Sequence, residues 1–178
     1  MPLLCDLPPE RPTYLILDSV SGLFLRFGEI FLAGDAVIHS ACGHSITCFD
    51  HHFFHLVGIR HEWSMKAERE YIRATLDGFG KFELRENGSR AKNLQAAFQT
   101  FQHPDEVWEG NPVADARWTY IKEFHHRNYP FSIGFVTPET EGGTIFVPTS
   151  SFPCDKNRLK KWRQGQLVYA SKTAQPPA

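Results

Sequence analysis

RWTYIKEFHHRNYPFSIGFV, residues 117–136, decides the fold. Its apolar side chains recur every second position. Trp118, Tyr120, Lys122 and Phe124 share one face of an extended segment, and Phe131, Ile133 and Phe135 share a face of the next. Asn128-Tyr129-Pro130 supplies the turn between them. Beyond the Glu141-Gly142-Gly143 turn, IFVPTSSFP (145–153) reads as a third strand, with Ile145 and Val147 on one face. Thr149, Ser150 and Ser151 form a polar corner at its end. A basic segment follows, and QLVY (166–169) is the last strand.

Upstream of this block the period is helical. Ala91, Leu94, Phe98 and Phe101 form one buried stripe, with Ser89 as its cap after the Asn87-Gly88-Ser89 turn. His103-Pro104 stops the helix, and DEVW (105–108) adds a further turn. Another helix is expected over 65–76, capped by Ser64 and ended by Gly78-Phe79-Gly80, with Met65, Ile72 and Leu76 on one face. TYLILD (13–18) reads as a strand, and LFLRFGEIFL (23–32) fits a buried helix or a strand pair equally. AVIHSA and SITCFD flank Cys42-Gly43-His44 as a hairpin. The sum is an α+β domain, with N-terminal strands and helices followed by a twisted antiparallel sheet of about four strands. The expected organisation is an N-terminal extension over 1–49 packed on the core, a main domain over 50–172 and a disordered tail over 173–178.

Composition narrows the function. The 178 residues are 42% hydrophobic and 22% charged, enough for one domain with a substantial core. A net charge of -1 excludes a protein that coats nucleic acid by bulk charge, so phosphate recognition would need a local patch. The four cysteines form no CxxC pair and read as free thiols of a reducing compartment. No signal peptide and no membrane-length apolar run is read, so a soluble, cytoplasmic protein is expected, or one delivered into a target cell by another component.

Four groups of residues could carry chemistry. Six of the nine histidines (His39, His44, His51, His52, His55 and His61) fall within 39–61, and histidine moves protons near neutral pH. Singly, each also fits a satisfied structural imidazole. His51 and His55 have the i, i+4 spacing of a metal pair, with Glu62 and Cys48 as further ligands, but no HExxH accompanies them. Tyr120 and Lys122 project to one face of a strand, where lysine neutralises and tyrosine orients a phosphate. Thr149, Ser150 and Ser151 can donate to a phosphoryl oxygen or bond their own backbone. Lys156, Arg158, Lys160, Lys161 and Arg163 make a local basic patch. Together these parts suit RNA cleavage in which the substrate's own 2′-hydroxyl attacks phosphorus, with no cofactor.

The ordered series HFFHLVGIRH (52–61), GSRAKNL (88–94), HPDEVWEG (103–110), RWTYIKEF, PFSIGFV, TSSFP (149–153) and WRQGQLVY (162–169) resembles the phage and polymorphic-toxin nucleases of the barnase, EndoU, colicin and RelE-like superfamily. The resemblance implies helices followed by a four-stranded antiparallel sheet, metal-independent RNA cleavage, and in many members control by an antitoxin or immunity protein. The family's Y-x-K pattern falls on Tyr120 and Lys122. Its TaFp pattern falls on Ser150, Ser151, Phe152 and Pro153, with Ser150 in place of the threonine and Thr149 as the alternative register. The upstream histidine matches His55 or His61. The expected function is therefore an endoribonuclease. His55, His61, Tyr120, Lys122 and Ser150 are its candidate catalytic residues, and Arg60, Arg90, Thr149, Ser151 and Lys156 its candidate substrate contacts. Two rivals stand beside it: a metal-dependent hydrolase using the 51–61 histidines, and a non-catalytic nucleic-acid or protein-binding module on the same fold.

Overall fold

A computed structural model describes residues 20–60, 83–84, 88–113, 116–125 and 129–171, with backbone alone at 20, 21, 60, 83 and 84. The strand expected over 13–18, the helix over 65–76 and the tail lie outside these residues.

Residues 23–32 resolve as helix: α1 spans Val20–Phe31 and buries Leu23, Phe27, Ile30 and Phe31 along one stripe. β1 (Val37–His39) and β2 (Ser45–Thr47) pair antiparallel, as expected, around Gly43 at φ 93°. A 3-10 turn (Asp50–His52) leads into the short α2 (Phe53–Val57), which stops at left-handed Gly58. β3 (Ile59–Arg60) and β4 (Glu83–Leu84) form a separate two-stranded ladder.

The helix expected after Ser89 is two helices, α3 (Ser89–Lys92) and α4 (Leu94–Gln102). Ser89 is the first residue of α3 rather than its cap; Gly88, at φ 74°, occupies the cap position. Asn93 makes the break. Its side-chain amide donates to the Ser89 carbonyl at 2.7 Å, while its own carbonyl accepts the Ala97 N–H at 2.9 Å. Ala91, Leu94 and Phe101 are buried as the stripe requires.

DEVW is not a helical turn. Glu106–Glu109 is strand β5, because β6 (Trp118–Glu123) on one side and β9 (Gln166–Ala170) on the other offer it hydrogen-bonding partners. β7 (Phe131–Pro138) and β8 (Phe146–Cys154) complete the sheet, and α5 (Lys156–Trp162) precedes β9. The strand order is β1-β2-β8-β7-β6-β5-β9. Seven strands thus replace the expected four, since β5 and the β1–β2 hairpin join. The sheet is mixed rather than antiparallel because β2 meets β8 in parallel at Ile46–Phe146. Ile145 precedes β8 and is exposed, while Val147 is buried within it. Thr149, Ser150 and Ser151 lie in the interior of β8, not at a corner. A register shift opposite Phe135 and Val136 marks a bulge there.

Both faces of the sheet are covered. α1, α2 and α4 build the larger core with Tyr120, Val107 and Val136. Leu159 of α5 packs with Ile121, Ile133 and Phe135 on the opposite face. Among the described residues no helix is long and apolar enough to cross a membrane.

Candidate active site

β8 runs past α2 and α3, and one arginine ties the three together. Arg90, on α3, donates from Nη1 to Ser150 Oγ at 2.8 Å and to the His55 carbonyl at 3.4 Å. Its guanidinium lies over the Phe152 ring, 5.2 Å from the centroid. Gly58 makes room for this approach. A Cβ there would stand 2.7 Å from Arg90 Cδ, on a backbone at φ 78° that side chains disfavour. Two sequence candidates from distant positions, Arg90 and Ser150, therefore meet through their side chains, and His55 joins them through its backbone carbonyl. Arg90 and Ser150 are half-buried, and His55 is exposed on α2.

The neighbouring hydroxyls face inward. Ser151 is 2% exposed and donates to the Ile133 carbonyl at 2.9 Å, and Thr149 donates to the Phe135 carbonyl at 3.4 Å. The chain thus gives Ser150, rather than Thr149 or Ser151, to the cation. Lys122 is held elsewhere: Nζ donates to the His103 carbonyl at 2.7 Å and stands 3.8 Å from Asp105 Oδ1. Lys156 is exposed at the start of α5. Much of the remaining basic patch is engaged by acids and rings. Arg163 forks onto Glu106 at 2.7 and 2.9 Å, Arg158 lies 3.6 Å from Asp155, and Lys161 sits over Trp162. His61 and the Arg60 side chain lie outside the described residues.

Tyr120 belongs to a second cluster. Its ring is fully buried, edge-on to Phe101, so it presents no face to solvent. Its hydroxyl meets His44 Nδ1 at 2.5 Å and Cys42 Sγ at 3.5 Å, and Cys42 Sγ lies 3.2 Å from Ser40 Oγ. The His44 ring packs against Trp118 and Phe146, with centroids 5.0 and 5.3 Å away. Burial and the neighbouring Cys42 push the Tyr120 phenol far above its ordinary range, so it stays protonated. For Cys42, burial raises the thiol, but hydrogen bonds from His44, Ser40 and Tyr120 outweigh it and lower its pKa to about 7. The hairpin that carries these residues was legible in the sequence. Its docking on β6 was not, because no local pattern links residues 76 positions apart.

The two clusters share β8 but not one reaction centre. At roughly 3.3 Å per residue, Ser150 lies up to about 13 Å along the strand from Phe146, where His44 packs. His55 is the described histidine whose backbone meets Arg90, through its carbonyl; its side chain is exposed on α2. Among the other described histidines of the stretch, His51 and His52 have structural partners. His52 is buried and accepts the Phe49 N–H at 3.1 Å, and His51 Nδ1 lies 3.6 Å from Asp50. Among the described residues no three His, Cys, Asp or Glu side chains converge as metal ligands.

A family model described as phage-Barnase-EndoU-ColicinE5/D-RelE like nuclease2 matches residues 26–170. The chain belongs to that family. The matched span of this nuclease takes in the β1–β2 hairpin, both side-chain clusters and the whole seven-stranded sheet. No curated protein and no solved structure matches it.

Proposed function

We propose that this nuclease is a metal-independent endoribonuclease of toxin or phage-associated type, and that it works at the His55–Arg90–Ser150 site. The observation that carries the reading is the Arg90–Ser150 hydrogen bond beside His55. It fixes a cation on a strand hydroxyl, and the same arginine touches the backbone of the residue that carries the exposed His55 imidazole. Phosphoryl transfer by the substrate's 2′-hydroxyl asks for those three groups. The 2′-oxygen attacks phosphorus, the bond to the 5′-oxygen breaks, and the product strand ends in a 2′,3′-cyclic phosphate. Arg90 and Ser150 stabilise the charge that grows on the non-bridging oxygens. His55 exchanges a proton with the attacking or leaving oxygen. Lys156 offers a peripheral phosphate contact, and an antitoxin or immunity protein would act by covering this face.

Incubation with total RNA, mapping of the cut ends and detection of cyclic phosphate test the reading. Arg90→Ala is expected to lower cleavage about 10²- to 10³-fold, the usual loss for one donor to a developing oxyanion. Arg90→Lys restores only part, since an ammonium cannot fork between Ser150 and a phosphate. His55→Ala is expected to cost about 10²- to 10⁴-fold. Undiminished cleavage by Arg90→Ala, or 3′-hydroxyl ends, would overturn the assignment.

A further inference from the structure

The aromatic group beside Ser150 has no part in the roles given to His55, Arg90 and Ser150. We propose that Trp162 is a stacking platform for an unpaired nucleobase next to the scissile phosphate, so that the site takes single-stranded rather than duplex RNA. This deepens the nuclease reading and rests on it. The placement follows from strand register. Residues Phe131 to Phe135 of β7 pair one by one with Cys154 to Ser150 of β8, and paired residues share a face. Ser150 therefore points to the same side of the sheet as Phe135 and Phe152, the side on which α5 packs. It stands opposite Phe135 and two residues, roughly 7 Å, from Phe152. The Trp162 ring packs on both of these rings, with centroids 5.3 and 5.4 Å away. The indole thus borders the hydroxyl that Arg90 holds.

The indole is held in place, yet one side of it is open. Phe135 and Phe152 meet it at interplanar angles of 65° and 63°, edge against face rather than stacked. Its backbone carbonyl accepts the side-chain amide of buried Asn111 at 3.1 Å. The ammonium of exposed Lys161 stands over the indole, 4.9 Å from the ring centroid. A lysine head group keeps to water, so this side of the half-buried ring faces solvent. Phe152 differs, because the Arg90 guanidinium already lies over its ring. The base therefore takes the indole, and Phe152 backs it.

The chemistry around the ring fits a single strand. A base laid on the indole displaces the Lys161 ammonium, whose flexible stem lets it swing to a phosphate of the same strand. α5 presents two further exposed lysines, Lys156 and Lys160. In a chain of net charge -1, this is a local concentration of cations beside an aromatic plane. Every base offers a π-face, so stacking tolerates sequence while the phosphates fall on the cations. In a duplex each base is covered by its neighbours and its partner, and an indole reaches it only by unstacking it. The site thus reads the pairing state of the RNA rather than the identity of the base.

The test is binding of a 2′-O-methyl oligoribonucleotide, which has no free 2′-hydroxyl to attack with, to the full chain. Anisotropy of a labelled copy gives the affinity, and an unlabelled copy is titrated against tryptophan emission. The single strand is expected to quench that emission and to bind about tenfold or more tightly than its duplex. Trp162→Leu, checked for folding by circular dichroism, should weaken binding about 5- to 150-fold, the range for loss of one stacked base, and remove most of the quench. Trp162→Phe should restore most of the affinity, because a ring remains. With cleavable RNA, Trp162→Leu should raise KM more than it lowers kcat. A duplex bound as tightly as the single strand, a wild-type emission that does not change, or an unaltered affinity in Trp162→Leu overturns the proposal. If the leucine variant does not fold, the two wild-type measurements decide. Undiminished cleavage by Arg90→Ala would remove the nuclease assignment and leave these binding results standing, so the two readings fail separately.

Discussion

At the scale of single residues, the two sites depend on positions where a side chain is absent. Gly58 lets Arg90 pass, and Gly134 lets a ring pass. Gly134 pairs with Tyr120 on one side and Ser151 on the other. A Cβ at Gly134 would stand 2.5 Å from the Phe101 ring, and Phe101 is fully buried with little room to yield. Gly134→Ala is therefore expected to destabilise by about 1–3 kcal/mol, the usual cost of overpacking a well-filled core. Urea unfolding would measure it. A midpoint equal to wild type would mean that Phe101 relaxes freely, contrary to the packing described.

At the scale of elements, α5 is short and relies on its cap. The Asp155 carboxylate accepts the Arg158 N–H at 2.9 Å and lies 3.6 Å from the Arg158 guanidinium. Leu159, 2% exposed, is the helix's anchor in the smaller core. Asp155→Ala should cost about 1 kcal/mol of stability. Asp155→Asn should recover most of it, because the hydrogen bond rather than the charge makes the cap. The strands β6 and β7 were readable in the sequence because their apolar residues alternate over six to eight positions. β5 was not, since only three residues separate it from the end of a helix and it becomes a strand only between β6 and β9. The β8 hydroxyls were legible as a group. Which of them meets a cation depends on the bulge, a property of pairing rather than of composition. Arg90 and Ser150 could be named from the chain, but their contact spans sixty positions and depends on the small volume of Gly58.

At the scale of the whole molecule, the buried thiols set a pH dependence of stability. Folded Cys48 and Cys154 ionise near 12 and 11, against an ordinary 9.0. Below pH 9 both states keep these protons, and the thiols favour neither. Above it the unfolded chain loses protons that the folded chain retains. Stability then falls as pH rises, by up to about 1.4 kcal/mol per pH unit for each thiol, until the folded thiols ionise in turn. Cys42 acts in the opposite sense. Its folded value lies near 7, so it adds stability as pH climbs from 7 toward 9 and loses it as pH falls back through 7. The thiol contribution therefore peaks near pH 9. Urea midpoints across pH 6–11 should show it, with the rising limb absent in Cys42→Ser and the falling limb shallower in Cys48→Ala.

The parallel contact between β2 and β8 also bears on synthesis. The β1–β2 hairpin is among the first described elements to be translated, yet its strand partner in the sheet, Phe146, and its hydroxyl partner, Tyr120, both come much later. Chains emerge from the ribosome N-terminus first, at about 5–20 residues per second. Ser150 follows Phe146, so Arg90 too must wait for its partner. A nascent chain that has not yet been extended past Ser150 thus carries neither cluster in finished form.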